Sequence, residues 1–261
     1  MLVVVLLLGI VEGLTEFLPV SSTGHLILVG NWLGYRGAHA SIFEVVIQLG
    51  AILAVVIEYR AKLFAIVLQP GKSSSQRLLL NLIVGFLPAA ALGLLFHDTI
   101  KAKLFGPRPV ALALIVGAVA MLVVERLRRS ERTRSIDEIR VPQALAIGIA
   151  QCLALFPGFS RAAATILGGL VFGLDRATAA EYSFLLAIPT LVGAAALDLI
   201  KGLHGLERTE LEWMGLGLVV SFLSAWIALR WFLRYVSHHS LDVFAWYRIA
   251  LGVAVLFLVR G

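Results

Sequence analysis

Two apolar runs that are too short to cross a bilayer, residues 26 to 33 and 163 to 174, limit how this chain can fold. Each follows a cluster of breakers: Pro19, Ser21, Ser22 and Gly24 before the first, and Pro157, Gly158 and Ser160 before the second. The other apolar runs cover residues 2 to 18, 42 to 57, 78 to 96, 109 to 124, 144 to 156, 182 to 200, 213 to 233 and 243 to 259. A spanning helix needs about 20 residues, and backbone groups in hydrocarbon must be satisfied by protein or by a wet cavity. Each short run is therefore expected to pair with the run before it as a helical hairpin that enters the membrane and turns back. With 60% hydrophobic and 15% charged residues and a mean hydropathy of +0.94, a soluble helical core is excluded. The opening MLVVVLLLGI has no basic residue before it and runs into Glu12 without a small-residue cleavage site, so it is read as part of the mature fold.

The two halves of the chain resemble each other. GIVEGLTEF recurs as GIAQCLALF, which sets Gly9 against Gly148, Leu14 against Leu153 and Phe17 against Phe156. One residue of slippage then sets Pro19 against Pro157 and Ser22 against Ser160, and further on Glu44 matches Glu181 and Phe86-Leu87 matches Phe222-Leu223. The ordered series points to a duplication, with halves 1–130 and 140–261 joined by a basic linker at 125–141. Each half holds one re-entrant hairpin and three full spans, an odd number of crossings, so the second copy lies inverted. The expected fold is an all-α polytopic membrane domain over residues 1–261, built as an inverted-topology repeat whose two Ser-bearing breaks meet near the midplane.

The net charge of +6 comes from basic residues that sit between apolar runs, as orientation signals do, and needs no nucleic-acid partner. Arg60, Lys62, Lys72 and Arg77 mark one linker, and Arg126, Arg128, Arg129, Arg132, Arg134 and Arg140 mark the mid-chain linker. Two crossings separate them, so they share the cytoplasmic side. Fewer basic residues stand opposite: Lys101, Lys103 and Arg108 in one linker, Lys201 and Arg208 in the other. On this count the first hairpin opens outward, the second inward, and both termini lie outside. Cys152 is the lone cysteine, which leaves no disulfide framework and no cysteine-built metal site.

The polar residues concentrate in EGLTEFLPVSSTGH, Glu12 to His25. A central charge costs roughly 2.5 to 3.5 kcal/mol on insertion scales, so several together mark a site. Glu12 and Glu16 share a helix face, and paired carboxylates need a proton or a cation between them. Mg2+ or Ca2+ suits oxygen ligands; hydrogen-bonded glutamates in helix packing are the alternative. Ser21, Ser22 and Thr23 include one or two helix caps, and His25 adds an acid–base group beside hydroxyls that could serve as nucleophile or phosphate donor. In the second copy Gln151 and Leu155 replace the glutamates, and Arg161 stands where Thr23 does. Arg161 suits bidentate phosphate recognition, a snorkelling or ion-paired structural role being the alternative. Backbone N–H groups at a helix start after Pro157-Gly158 would add to an anion site. Glu44, Gln48 and Glu181 are read either as supporting contacts or as helix–helix hydrogen bonds. His97, Asp98, His204, His238 and His239 lie near span ends, and Trp213, Trp231 and Trp246 suit interfacial belts.

EGLTEFLPVSSTGH together with PGFSR and Thr165 resembles the undecaprenyl-diphosphate phosphatase family, the BacA type associated with bacitracin resistance, and FEVVIQLGAILAVV, LGLLFHDTIK, QCLALFPGFSR and EYSFLLAIP extend the resemblance along the chain. The resemblance implies hydrolysis of the terminal phosphate of a C55 polyprenyl diphosphate, giving the monophosphate carrier of cell-wall synthesis, with a divalent cation; the site is expected in the bacterial inner membrane, opening outward on the charge count above. It sets the family's acidic motif on Glu12 and Glu16, also the implied metal ligands. Its Ser and His positions fall on Ser21, Ser22 and His25, and its second motif on Ser160, Arg161 and Thr165. Where the family usually has Ser-Gly after PGFSR, Ala162 and Ala163 stand here.

In the expected mechanism the lipid tail lies in a lateral groove and the carboxylates hold the cation on the phosphates. Arg161 neutralises developing charge, Thr23 assists phosphate binding, and His25 with Ser22 supplies proton transfer or the nucleophile, with water as the other attacking group. A homodimer is compatible with this reading. A polyprenyl-phosphate flippase is the main alternative, since inverted repeats are a transporter design. A cation channel would leave Arg161 unexplained.

Overall fold

The apolar runs fold as helices and stop where Pro, Gly and Ser cluster. The computed structural model describes residues 1–35, 38–69, 71–104, 106–127, 132–202 and 208–258. Before the mid-chain linker come α1 (Leu2–Glu16), α2 (Ser22–Trp32), α3 (Ala38–Glu58), α4 (Arg60–Leu68), α5 (Ser73–Leu104) and α6 (Pro107–Leu127). After it come α7 (Val141–Gln151), α8 (Arg161–Val171), α9 (Arg176–Gly202), α10 (Arg208–Val236) and α11 (Asp242–Leu258), with short 3-10 turns at Ile136–Glu138 and Cys152–Leu155. An isolated bridge between Thr133 and Leu174 is the one strand-like pairing among the described residues.

Among the described residues, five stretches are long and apolar enough to cross a membrane: Ala40–Glu58, Ser73–Phe96, Pro107–Leu127, Arg176–Ile200 and Arg208–Val236. The sixth expected span coincides with α11, which has 17 residues. Leu94, Leu112, Val116, Ile227 and Phe257 lie exposed on the outer faces of these helices. On a water-facing surface so much apolar area would drive association; against lipid it is the matching solvent. The chain is a multi-pass helical membrane protein.

Helices from the two halves exchange partners. α1 lies along α10 and α7 along α5, while α3 packs on α9 and α6 on α11. The two basic linkers come together at one end of the bundle, where Arg77 donates to the Asp137 carbonyl at 3.2 Å. Arg176 at the start of α9 grips Glu125 near the end of α6 through two bonds of 2.9 and 2.7 Å. Lys62 on α4 pairs with Glu181 on α9 at 2.5 Å, and Glu58 at the end of α3 accepts from Trp226 and Arg230 of α10. Glu181, matched with Glu44 by sequence, thus belongs to this charged end.

The two breaks share an unusual backbone. Ser21 and Ser160 adopt φ of 72° and 76°, the left-handed region that side chains other than glycine seldom enter. Each is the N-cap of the following helix: Ser21 Oγ accepts from Gly24 N at 3.3 Å and Ser160 Oγ from Ala163 N at 3.2 Å. By this geometry the counterpart of Ser160 is Ser21, and that of Arg161 is Ser22. This corrects the sequence pairing of Ser22 with Ser160 and of Thr23 with Arg161; the slippage of one residue vanishes, because the offset that pairs Phe17 with Phe156 continues into both caps. Gly158 has a φ of +100°, and a Cβ there would strike the Val110 carbonyl, so the second break requires its glycine.

The departure at Ala162-Ala163 also has a packing basis. Both side chains are fully buried in the core cluster that includes Ile147 and Ile166. A methyl group there needs no hydrogen-bond partner, whereas a hydroxyl would. The Ala163 N–H already serves the Ser160 cap.

α5 and α9 each carry an internal proline, Pro88 and Pro189. Proline removes a helix hydrogen bond and bends the helix. Residues around both prolines, Ala89 and Ala90 on one helix and Thr190 and Leu191 on the other, line a cavity of about 470 Å3. Its far wall includes Ile100, Leu197 and the charged Asp198, toward the end of the bundle opposite the basic linkers, and the polar residues Thr23, Gln151 and Arg161 line it on the side of the breaks.

Candidate active site

The last turn of α1 ends at Glu16, and the chain needs only the Phe17–Ser21 break before α2 begins at Ser22. That tight reversal lets Ser22 Oγ donate a short hydrogen bond to Glu16 Oε2. From the other half, the first residue of α8 reaches the same carboxylate: Arg161 Nη2 donates to Glu16 Oε1 at 2.9 Å. The pair is almost wholly buried, with 8% and 5% of the side chains exposed. Glu16 thus lies where two helix N-termini converge, each with unsatisfied N–H groups and the positive end of its dipole, a natural seat for negative charge.

Arg161 is held on three sides. Its Nη1 donates to the Ser183 carbonyl at 3.1 Å and to Ser183 Oγ at 3.2 Å. Its guanidinium lies over the Phe17 ring, 5.7 Å from the centroid, and Phe17 meets Phe184 edge-on at 5.3 Å. The Nε–H is buried without a partner, which leaves one donor of the fork unspent.

Glu12 sits one turn before Glu16 and is 1% exposed, with neither carboxylate oxygen in a hydrogen bond. The charges that act on it are the Glu16 and Glu44 carboxylates and the Arg161 guanidinium. An unpartnered buried carboxylate beside two others calls for a proton or a cation. Its two oxygens fit a hard cation, whereas those of Glu16 are taken by Ser22 and Arg161. Among the described residues no group of three or more His, Cys, Asp or Glu is placed to hold a metal, so phosphate oxygens and water would have to complete such a site.

His25 points elsewhere. Its Nδ1–H donates to the Ser21 carbonyl at 2.7 Å, which leaves Nε2 to accept from the Tyr247 hydroxyl at 2.6 Å in the neutral ring. Ser22 is therefore bonded to Glu16 rather than to His25. Ser21 and Ser160 spend their oxygens as caps and keep their protons available to donate. Thr23 lines the cavity on the side of the breaks. Thr165 is 1% exposed and its hydroxyl bonds within the protein, to the Arg161 carbonyl at 2.9 Å and to Ser183 Oγ at 2.6 Å. His238 and His239 are exposed and bond carbonyls of their own helix; His204 and the side chains of His97 and Asp98 lie outside the described residues.

The largest fully buried side chain among the described residues stands outside the motifs above. Arg248 of α11 donates to the Pro19 carbonyl at 3.1 Å in the first break, and to the Gly158 and Phe159 carbonyls at 3.1 and 2.8 Å in the second. It also reaches Ala113 and Leu114 on α6 at 3.4 and 3.3 Å. A Cβ at Gly117 would collide with its guanidinium, so that glycine makes the room. The signal was present: Arg248 is the one charged residue within the apolar run 243 to 259, and a charge so placed is expensive unless it has work.

The sequence that carries the acid–hydroxyl–guanidinium cluster matches a known family over nearly its whole length. The model for the bacitracin resistance protein BacA aligns with residues 5–254. The chain belongs to the BacA family. It is 51% identical over 256 residues to undecaprenyl-diphosphatase 1 of Burkholderia ambifaria, covering 96% of this chain and 93% of the relative. It is 53% identical over 251 residues to the undecaprenyl-diphosphatase of Nitrosomonas europaea, with 96% and 92% covered. The undecaprenyl-diphosphatase of Aromatoleum aromaticum is 51% identical over 255 residues, with 97% and 93% covered.

Proposed function

We propose that this chain is an integral membrane phosphatase that hydrolyses undecaprenyl diphosphate to the monophosphate and inorganic phosphate. Membership of the BacA family and relatives named for that substrate support the activity. The observation that carries the mechanism is the Glu16 carboxylate, which joins Ser22 from one break to Arg161 from the other, and Arg161 in turn lines the cavity together with Thr23.

Ser22 Oγ attacks the terminal phosphorus, its proton passes to Glu16 Oε2, and the P–O bond to the bridging oxygen breaks, releasing polyprenyl monophosphate. Water then attacks the phosphoserine phosphorus and the P–Oγ bond breaks; the proton on Glu16 Oε2 returns to the departing Ser22 Oγ, one water proton leaves to solvent and the other stays on the released phosphate. Arg161, with its spare Nε–H and the Nη2 now on Glu16, faces the charge that develops on the phosphoryl oxygens. His25, bonded to the Ser21 carbonyl and to Tyr247, braces the turn that carries Ser22 and takes no proton from it in this arrangement. Glu12, one turn from Glu16, would hold a divalent cation with phosphate oxygens and water completing its shell, whose chemistry when bound is to withdraw charge from the phosphates. About 470 Å3 is the size of a drug-like ligand's pocket, so the cavity receives the lipid units next to the diphosphate and the rest of the tail lies in the bilayer.

In the membrane, α1–α2 and α7–α8 form re-entrant hairpins of an inverted repeat. Their equivalent Ser21 and Ser160 caps and the exchanged packing of α1 on α10 and α7 on α5 support this reading. The end that holds both basic linkers faces the cytoplasm of a bacterial inner membrane, and the cavity, which reaches toward the opposite end, opens outward.

Phosphate release from a long-chain polyprenyl diphosphate by the detergent-solubilised protein is expected with Mg2+ or Ca2+ and falls to background with EDTA. Undiminished release in EDTA would remove the cation from the mechanism. Substrate binding without release would favour a flippase, since detergent abolishes the two sides that transport needs.

A further inference from the structure

We infer that Ser183, on α9, is a positioning residue for Arg161, and that Thr165 acts through it rather than by touching phosphate; this rests on the role proposed above for Arg161. The hydrogen-bond directions decide the matter. The Thr165 hydroxyl has one proton, and that proton lies on backbone carbonyls of its own helix, Arg161 at 2.9 Å and Ala162 at 3.3 Å. Thr165 Oγ1 is therefore the acceptor in its 2.6 Å contact with Ser183, and Ser183 is the donor. With its proton so fixed, Ser183 Oγ turns a lone pair to Arg161 Nη1 at 3.2 Å, alongside its own carbonyl at 3.1 Å.

The result is a closed circuit: the Arg161 carbonyl accepts from Thr165, Thr165 accepts from Ser183, and Ser183 accepts from the Arg161 guanidinium. Ser183 is 0% exposed and Thr165 1%, so no water substitutes for a missing member. The circuit ties α8 to α9 and fixes the fork so that Nη2 meets Glu16 while Nε–H stays unspent. Neither hydroxyl has a proton left for a substrate. An arginine side chain has several rotatable bonds, and a site that binds charge gains from having them frozen before substrate arrives.

Ser183→Ala and Thr165→Val remove hydroxyls without adding bulk. In phosphate release from a long-chain polyprenyl diphosphate by the purified protein, each is expected to lower kcat roughly 10- to 100-fold, with KM moved less than about threefold. The double variant is expected to lose no more than the worse single one, because both break one circuit. Thr165→Ser keeps the hydroxyl and is expected to restore most of the rate. A Ser183→Ala enzyme at wild-type kcat, or independent losses that multiply in the double variant, overturns the proposal. So does a Thr165→Val defect confined to KM, which would make Thr165 a direct phosphate contact. Arg161→Ala in the same assay separates the levels: wild-type turnover there would refute the role of Arg161 itself, whereas its loss with an unaffected Ser183→Ala refutes the positioning role alone.

Discussion

Glu16→Gln is expected to lower phosphate release by roughly 10^3-fold while the protein stays folded. General-base contributions run about 10^2 to 10^4-fold, and the amide keeps the size of the carboxylate but cannot take the Ser22 proton. The change also removes the anionic partner of Arg161, at 2.9 Å in a site where little water screens the pair. Losing one member of a buried pair costs about 3 to 5 kcal/mol. Here the remaining cation keeps the Ser183 carbonyl and hydroxyl and the face of Phe17, so the stability loss falls below that range. Thermal melting in detergent within a few degrees of wild type, together with lost turnover, is the expected pattern. Turnover within tenfold of wild type would remove Glu16 from the proton's path.

Arg248→Met is expected to act in the opposite way, on structure first and on rate through it. The Pro19, Gly158 and Phe159 carbonyls of the two breaks lose their donor at once, while those of Ala113 and Leu114 keep the N–H groups of their own helix. Each buried acceptor left unmade costs about 1 to 3 kcal/mol, and the two breaks lose the side chain that holds them against each other. A stability loss of several kcal/mol corresponds to a melting temperature about 10 °C lower for a chain of this size. Phosphate release should fall with it, because Ser22 and Arg161 hang from those breaks. Arg248→Lys is expected to rescue little, since an ammonium cannot fork to both breaks. An Arg248→Met protein that melts and turns over like wild type would show that the breaks hold without the clamp.

How far the sequence revealed this depends on where each residue keeps its partner. Glu12, Glu16, Ser22 and Arg161 were legible because polar groups in apolar surroundings are costly and seldom stand there without a task. The breaks at Pro19 and Pro157 were legible because the following runs are too short to span. Ser22 bonded to Glu16 was not legible, since both Glu16 and His25 lie within reach of it along the chain and only the turn geometry at Ser21 decides between them. Tyr247 and Ser183 come to the site from 222 and 22 residues away from their partners, and a hydroxyl in an apolar helix looks the same whether it serves its own helix or a neighbour. Pairing Ser22 with Ser160 failed because prolines were aligned, whereas the backbone counts from the left-handed caps.

The most direct test is acid-quenched turnover of polyprenyl diphosphate labelled in its terminal phosphate, with peptide mapping of the protein. Label is expected on Ser22, appearing within the first turnover and absent from Ser22→Ala, which should release no phosphate. Release by Ser22→Ala at near-wild-type rate, with no labelled peptide in either protein, would mean that water attacks directly and that the Ser22–Glu16 contact is not the reacting pair.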